Sequence, residues 1–478
     1  MDSVLARPTQ AEENCTDAGR LRAALRIHGL ALADQAVVSG GSFLTLILVS
    51  HWTNPAQLGL YSIGLSVLIS TLAVQYSLVS LPYTIQRLRP LGTPAEQAGT
   101  SLTQSVLLSA LSLMLLAGAA LSLRWWGAKP DMTAMTWALA AAVPFALLRE
   151  FLRRCAFARM CMGEALMLDS VVAAIQFAAL FWLGSTGRMS PANACAAIGG
   201  ACALSSIVWL YISRAGFAIR KEQVVAEMRR SWALGKWFLA GQVTVSLQGY
   251  VTYWLLAIVV GAAATGVYAA CMSIASAANP LMTGINNALA PKAVLALEEG
   301  GPTRLRREAA RDAMWLGAAM SLFYLALVFF AEDVMRLLFH GKDFAGQGNT
   351  ITLLCVGLLS SAVGFPASFG LASLERPQAV AWAGSIGVFI TVILSLGLMT
   401  EWDLLGAAVG FVAGSVAGAV GLWVAFLALV QKRSSRPDPN ADSATGKVEV
   451  RHVGRGAVER DGSTEERHPE RQWLAGLS

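Results

Sequence analysis

Between residues 28 and 431, long apolar runs alternate with short polar breaks. A helix needs about 20 apolar residues to cross a bilayer. By that rule the pattern predicts twelve spans, near 28–51, 58–83, 99–123, 132–150, 163–184, 191–213, 237–260, 264–290, 312–331, 349–372, 378–399 and 404–431. The first run is too long for a signal peptide and lacks a small-x-small cleavage site, so it reads as a span. The polar breaks are short except in three places. These are an N-tail over 1–27, a loop over 214–236 and a C-tail over 432–478.

The six spans on either side of the long loop resemble one another. Gly59-Leu60-Tyr61-Ser62 opens span 2, and Gly266-Val267-Tyr268-Ala269 opens span 8, an offset of 207. Pro144 inside span 4 and Pro366 inside span 10 repeat at an offset of 222. Six is even, so both halves run the same way through the membrane, as in two-lobed transporters. The expected fold is all-α: a polytopic integral membrane protein with about twelve transmembrane helices in two six-helix lobes around a central cavity. The N-lobe is 28–213, 214–236 is a linker, and the C-lobe is 237–431. Proline kinks a membrane helix, which makes Pro144 and Pro366 hinge candidates.

Composition agrees. Of 478 residues, 55% are hydrophobic and 14% charged, against about 25% charged in soluble proteins. Mean hydropathy is +0.55. These figures exclude a disordered chain and argue against an ordinary soluble enzyme. The seven cysteines are scattered without a Cys-x-x-Cys, and the five histidines lack ligand spacing. No disulfide framework, metal site or cofactor is expected. Nothing matches Gly-x-x-x-x-Gly-Lys-Ser/Thr, so no nucleotide-driven step is expected either.

With the N-terminus inside, 31 of the 36 Lys and Arg fall on the cytoplasmic side. Positive residues stay inside, so both termini are expected there, in the inner membrane. Topology explains the net charge of +6, and no nucleic-acid partner is implied. The outer loops are too short for a folded catalytic domain. The C-tail carries charges of both signs and reads as disordered. In the 214–236 loop, Val224, Val225, Met228 and Trp232 give an apolar stripe at helical spacing among six basic residues. That is the pattern of an amphipathic helix on the inner leaflet.

The chain resembles a known group in several places. Asp34-Gln35-Ala36-Val37-Val38-Ser39-Gly40-Gly41-Ser42-Phe43 opens span 1, and Leu58-Gly59-Leu60-Tyr61 opens span 2. Pro144 is followed by Leu148-Arg149-Glu150-Phe151-Leu152-Arg153-Arg154, and an outer segment runs from Val334 to Phe344. These resemble the polysaccharide-biosynthesis and oligosaccharide flippase group of the superfamily that includes the multidrug and toxin extrusion transporters. The resemblance implies a non-enzymatic transporter. It would flip a polyprenyl-diphosphate-linked oligosaccharide by alternating access, for exopolysaccharide or lipopolysaccharide synthesis. Its partners would be the lipid-linked sugar, membrane lipid, glycosyltransferases and a polysaccharide polymerase. The alternatives are a multidrug or cation antiporter of the same superfamily, a membrane-embedded polymerase or ligase, and a scaffold without transport.

Two carboxylates lie well inside spans, Asp34 in span 1 and Asp169 in span 5, both about 9 Å past the cytoplasmic edge. Intramembrane carboxylates are costly and are usually functional or paired, so both are candidates for proton or ion coupling. The alternative is a structural pairing with a hydroxyl or amide. Arg149 and Arg153 share a helix face, and paired guanidinium forks suit a diphosphate. The stronger alternative is that they are topology markers at a cytoplasmic span end, contacting lipid phosphates in general. Gln75, Gln176, Gln242, Gln248, Tyr250, Asn279, Asn286 and Asn287 are candidates to line a polar cavity, or to bond helix to helix.

Overall fold

The computed structural model describes residues 10–87, 93–218, 221–339 and 344–434. Within helices, the side chains of 10–28, 221–223, 237, 280–281 and 287–288 fall outside that description. The C-tail beyond 434 and the segment 340–343 of the outer motif also lie outside the described residues.

Every element among the described residues is helical. In chain order these are α1 (Gln10–Trp52), α2 (Pro55–Gln75), α3 (Leu81–Gln86), α4 (Pro94–Trp125), α5 (Pro130–Ala158), α6 (Met162–Ser185), α7 (Pro191–Ile212), α8 (Lys221–Val259), α9 (Ala262–Ala275), α10 (Asn279–Phe329), α11 (Ala331–Leu338), α12 (Gly348–Ser373) and α13 (Pro377–Ser434). The starts are written locally. Proline, whose fixed φ suits a first turn, opens α2, α4, α5, α7 and α13. Asn54 with Gln57 and Thr93 with Glu96 form reciprocal capping boxes.

Among the described residues, nine helical stretches are long and apolar enough to cross a membrane. Two of them hold two spans each. α10 breaks at Gly300–Gly301, where Gly301 adopts φ +63°, and α13 breaks at Asp403, with φ 44°. With α8, and with α9 continuing into α10, twelve helical segments occupy the twelve expected spans. The chain is a multi-pass membrane protein.

The internal repeat is visible in the helix ends. α1 ends at Trp52 and α8 at Val259, 207 apart. α2 begins at Pro55 and α9 at Ala262, again 207 apart. Both members of the second pair break at mid-length. A π-helical turn, Tyr76–Ser80, separates α2 from α3, and a 3-10 turn, Ser276–Ala278, separates α9 from α10. One residue after each irregular turn comes a proline, Pro82 or Pro280. By contrast α5 and α12 run unbroken through Pro144 and Pro366.

α2 and α9 cross closely at the end of the molecule away from the basic residues. A Cβ on Gly59 would strike the Ala262 carbonyl, and a Cβ on Gly266 would strike the Pro55 carbonyl. The two contacts are each other's mates under the 207-residue repeat. Tyr61 and Tyr268, two residues on, are both fully buried in one shared core. The Gly-x-Tyr motif is therefore a helix-crossing motif: glycine lets the backbones meet and tyrosine fills the space behind them.

α8 runs without a break from the long loop into span 7, so 221–236 is the base of that helix. Its apolar stripe faces outward, with Val225, Met228 and Trp232 exposed, whereas Glu227 and Ser231 are buried. This base packs on the first six helices. Gln86 Nε2 donates to Ser231 Oγ at 3.4 Å, and a Cβ on Gly235 would press on the Ser77 carbonyl at 2.7 Å.

Candidate functional site

Four of the residues singled out above meet in one place. α1 contributes Asp34, α5 contributes Arg149, Glu150, Arg153 and Arg154, and α6 contributes Asp169. Helix spacing sets the α5 group: 149, 150, 153 and 154 lie on one side, one turn apart. Arg153 is the centre. Its Nη2 donates to Asp34 Oδ2 at 2.6 Å, and its Nε lies 2.7 Å from Asp169 Oδ2. Arg149 Nη2 meets the other Asp169 oxygen at 2.6 Å. Glu150 takes Arg154 Nε at 2.7 Å and lies 3.5 Å from Arg153 Nη1. The guanidinium of Arg153 also covers the Phe157 ring at 4.9 Å, and that of Arg154 covers Tyr76 at 4.7 Å.

Three cations face three anions, so the cluster is neutral as a whole. Asp34 is 0% exposed and Asp169 1%. A buried unpaired charge costs several kcal/mol. Pairing removes most of that cost here, but Asp34 Oδ1 still has no protein hydrogen-bond partner. The two carboxylates and the two arginines, read from the sequence as separate sites, are one interlocked site. Chemically, adding a proton to either aspartate would release part of a guanidinium.

The amide candidates divide. Gln75 is fully buried, and its Nε2 donates to Ser105 Oγ at 2.8 Å and to the Leu147 carbonyl at 2.7 Å, joining α2 to α4 and α5. Gln176 donates to Thr45 Oγ1 at 2.6 Å, joining α6 to α1. Gln248 reaches Thr391 at 3.4 Å, and its Oε1 is buried without a partner. Tyr250 packs on Tyr253, which meets the Tyr268 ring edge-on. Asn279 is exposed where α10 begins, and Asn286 Oδ1 is buried without a partner. The side chain of Asn287 lies outside the described residues. Gln242 lines a cavity of about 120 Å³ between α2 and α8, together with Ser70 and Ser246. That volume suits a few waters rather than a drug-sized molecule, which needs about 300 Å³ or more. Near it, Trp254 Nε1 donates to Ser66 Oγ at 2.8 Å, bonding α8 to α2.

Two features escaped sequence reasoning. Glu150 was placed at a span end but is 7% exposed and bridges arginines. Its spacing of three and four to Arg153 and Arg154 was the available signal. The other is the inner face of α4, where Gln97, Thr100, Ser101, Gln104, Ser105, Ser109 and Ser112 are all buried. Hydroxyls and amides recurring every three to four residues would have revealed it.

Known proteins of the same shape can be set beside this geometry. No family model matches the chain. A 101-residue stretch is 33% identical to Protein DETOXIFICATION 35 of Arabidopsis thaliana, covering 20% of this chain and 21% of that protein. The match thus spans about a fifth of the relative's length. Among solved structures, the inward-facing conformation of a multidrug resistance MATE family transporter of the MOP superfamily aligns with a TM-score of 0.69. Identity is 15%, with 84% of this chain and 96% of that chain covered. The outward-facing conformation of such a transporter gives 0.60 at 15% identity, covering 86% and 96%. A MOP superfamily transporter from Pyrococcus furiosus, described as having a binding pocket of reverse polarity, gives 0.62 at 14% identity, covering 86% and 96%. The fold is that of the MATE-type transporters of the MOP superfamily.

Proposed function

We propose that this chain is an alternating-access exporter of the multidrug or cation antiporter type, with Asp34 and Asp169 as its coupling carboxylates. The observation that carries the reading is the buried Asp34–Arg153–Asp169–Arg149 network inside a MATE-type bundle. Such a network is costly to maintain for packing alone, and it can exchange protons for a change in guanidinium contacts. The halves 28–213 and 237–431 would rock about the α2–α9 crossing. The stretch shared with a DETOXIFICATION protein supports the drug-exporting reading over a lipid-linked oligosaccharide flippase.

The test uses a bacterial strain stripped of its own drug exporters. Expression of this chain should raise resistance to ethidium, and Asp34→Asn or Asp169→Asn should abolish the gain at unchanged membrane abundance. Normal resistance in both variants would reject the coupling role. If no drug tested is exported and the chain instead restores surface polysaccharide to a flippase-null strain, the flippase reading stands. Arg149 and Arg153, paired guanidinium groups suited to a diphosphate, support that second reading. Arg149→Lys should then impair export although charge is kept.

On this reading the basic end faces the cytoplasm, as the positive-inside rule expects. A reporter active only outside should be silent after Val225 and Asn440 and active after Gly127 and His340. Activity after Asn440 would overturn this topology.

A further inference from the structure

Glu227 is a carboxylate with no part in the cluster described above. It lies in the base of α8, on the face opposite the exposed Val225 and Trp232, and is 4% exposed. Beside it is Thr100 of α4, and the charged groups around it are Arg230 on its own helix and Glu96 on α4. Burial pushes its carboxyl up from the ordinary glutamate value.

From Thr100 the polar inner face of α4 continues inward through Ser101, Gln104 and Ser105, all buried. Thr100 to Ser105 covers about 8 Å along the axis. Ser105 Oγ accepts from Gln75, and the same Gln75 nitrogen donates to the Leu147 carbonyl, two residues before Arg149. Buried polar groups therefore run from Glu227 to the stretch of α5 just before Arg149. Hydroxyls in helix interiors commonly turn back on their own carbonyls. Thr103 and Ser112 of α4 do so. The hydroxyl of Thr100 does not, and Ser80 Oγ, Gln75 Oε1 and, at the far end, Asp34 Oδ1 are buried without a protein hydrogen-bond partner. Native proteins leave few buried polar atoms unbonded, and ordered water satisfies the rest.

We propose that a file of water runs along the inner face of α4 from Glu227 to Asp34 and Asp169, with Glu227 taking up the proton at the cytoplasmic end. The inference rests on the reading that those aspartates exchange protons. It adds the route and the first acceptor. A route on this side would connect the cluster to the cytoplasm while the α2–α9 crossing is shut. A carboxyl at its mouth would relay protons faster than water alone.

The experiment follows proton arrival directly, using the full chain in lipid vesicles. The infrared carboxyl band is assigned to the cluster by its loss in Asp34→Asn and Asp169→Asn. Its appearance is then timed after a drop in pH on the cytoplasmic side. Glu227→Gln and the isosteric Thr100→Val should each slow the band by about a hundredfold or more, the scale of a positioned proton-transfer group. The pH at half-protonation should stay unchanged. Wild-type rates in both variants overturn the route, and Thr100→Val serves as the arm if Glu227→Gln does not fold. If the aspartate band never titrates in the wild type and Asp34→Asn exchanges ethidium normally, the coupling reading itself has failed. If the band titrates at unchanged rate in the variants, only the path has failed.

Discussion

Arg153→Met should cost this protein about 3–5 kcal/mol, the scale for removing one partner of a buried ion pair. Arg153 is the shared partner of Asp34 and Asp169, at 2.6 and 2.7 Å. Its loss leaves the cluster with one excess negative charge at a depth where water cannot screen it. The expected result is a large drop in melting temperature and in the monodisperse fraction of detergent-solubilised protein. Adding Asp34→Asn to Arg153→Met restores neutrality and should recover most of the loss. Asp34→Asn alone leaves one excess positive charge. The double-mutant cycle should thus show a coupling well above the few tenths of a kcal/mol found for independent sites. Additive costs would mean that the six residues do not act as one electrostatic unit.

Gly59→Ala and Gly266→Ala should each prevent the outer ends of α2 and α9 from meeting, which on the proposed exporter reading disables transport. In an ordinary helix position alanine is favoured over glycine by about 1 kcal/mol, so a loss here must come from the crossing. Each added methyl would meet a backbone carbonyl, which has no rotamer to move into. Overpacking of this kind costs about 1–3 kcal/mol, enough to shift a two-state equilibrium by roughly 5–150-fold. The measurement is labelling of a cysteine placed at Ser62, 5% exposed, by a thiol reagent added outside. Labelling should be slow in the parent and fast in both glycine variants. Gly118→Ala, where a Cβ meets nothing within 4 Å, is the control and should behave as the parent. Slow labelling in both variants would show that the crossing tolerates a methyl and does not govern closure.

The spans were legible because a 30-Å apolar layer forces about 20 consecutive apolar residues per crossing, whatever the neighbours. Even the long merged helices α10 and α13 break within the polar gaps that separated the predicted spans. The Gly-x-Tyr repeat was legible as a repeat, though not as a contact, since nothing local says which carbonyl a glycine approaches. The site was half legible. Asp34, Asp169, Arg149 and Arg153 stand out because charge in an apolar run is rare. That Arg153 reaches Asp34, 119 residues away in sequence, depends on how α1, α5 and α6 lie side by side. Pro144 and Pro366 show the converse. A proline announces a missing donor, but whether the helix bends is decided by its neighbours. α5 and α12 stay helical through Pro144 and Pro366, and the irregular turns, one π and one 3-10, stand before Pro82 and Pro280.

Carried across the 207-residue offset, Asp34 falls on Gly241 of α8. The start of α6 at Met162 corresponds to the start of α13 at Pro377, and this offset of 215 carries Asp169 onto Gly384. The proline offset carries Arg149 onto Leu371, which is fully buried in an apolar core. Where one half holds a salt lattice, its twin holds glycine and leucine. Descent from a duplicated six-helix ancestor would thus have ended in a division of labour: both copies keep the mechanical joint, and only the first keeps the buried aspartate–arginine cluster. A chain assembled from two second halves should still fold and close, but it would lack the buried aspartate–arginine cluster. One assembled from two first halves would carry that cluster twice.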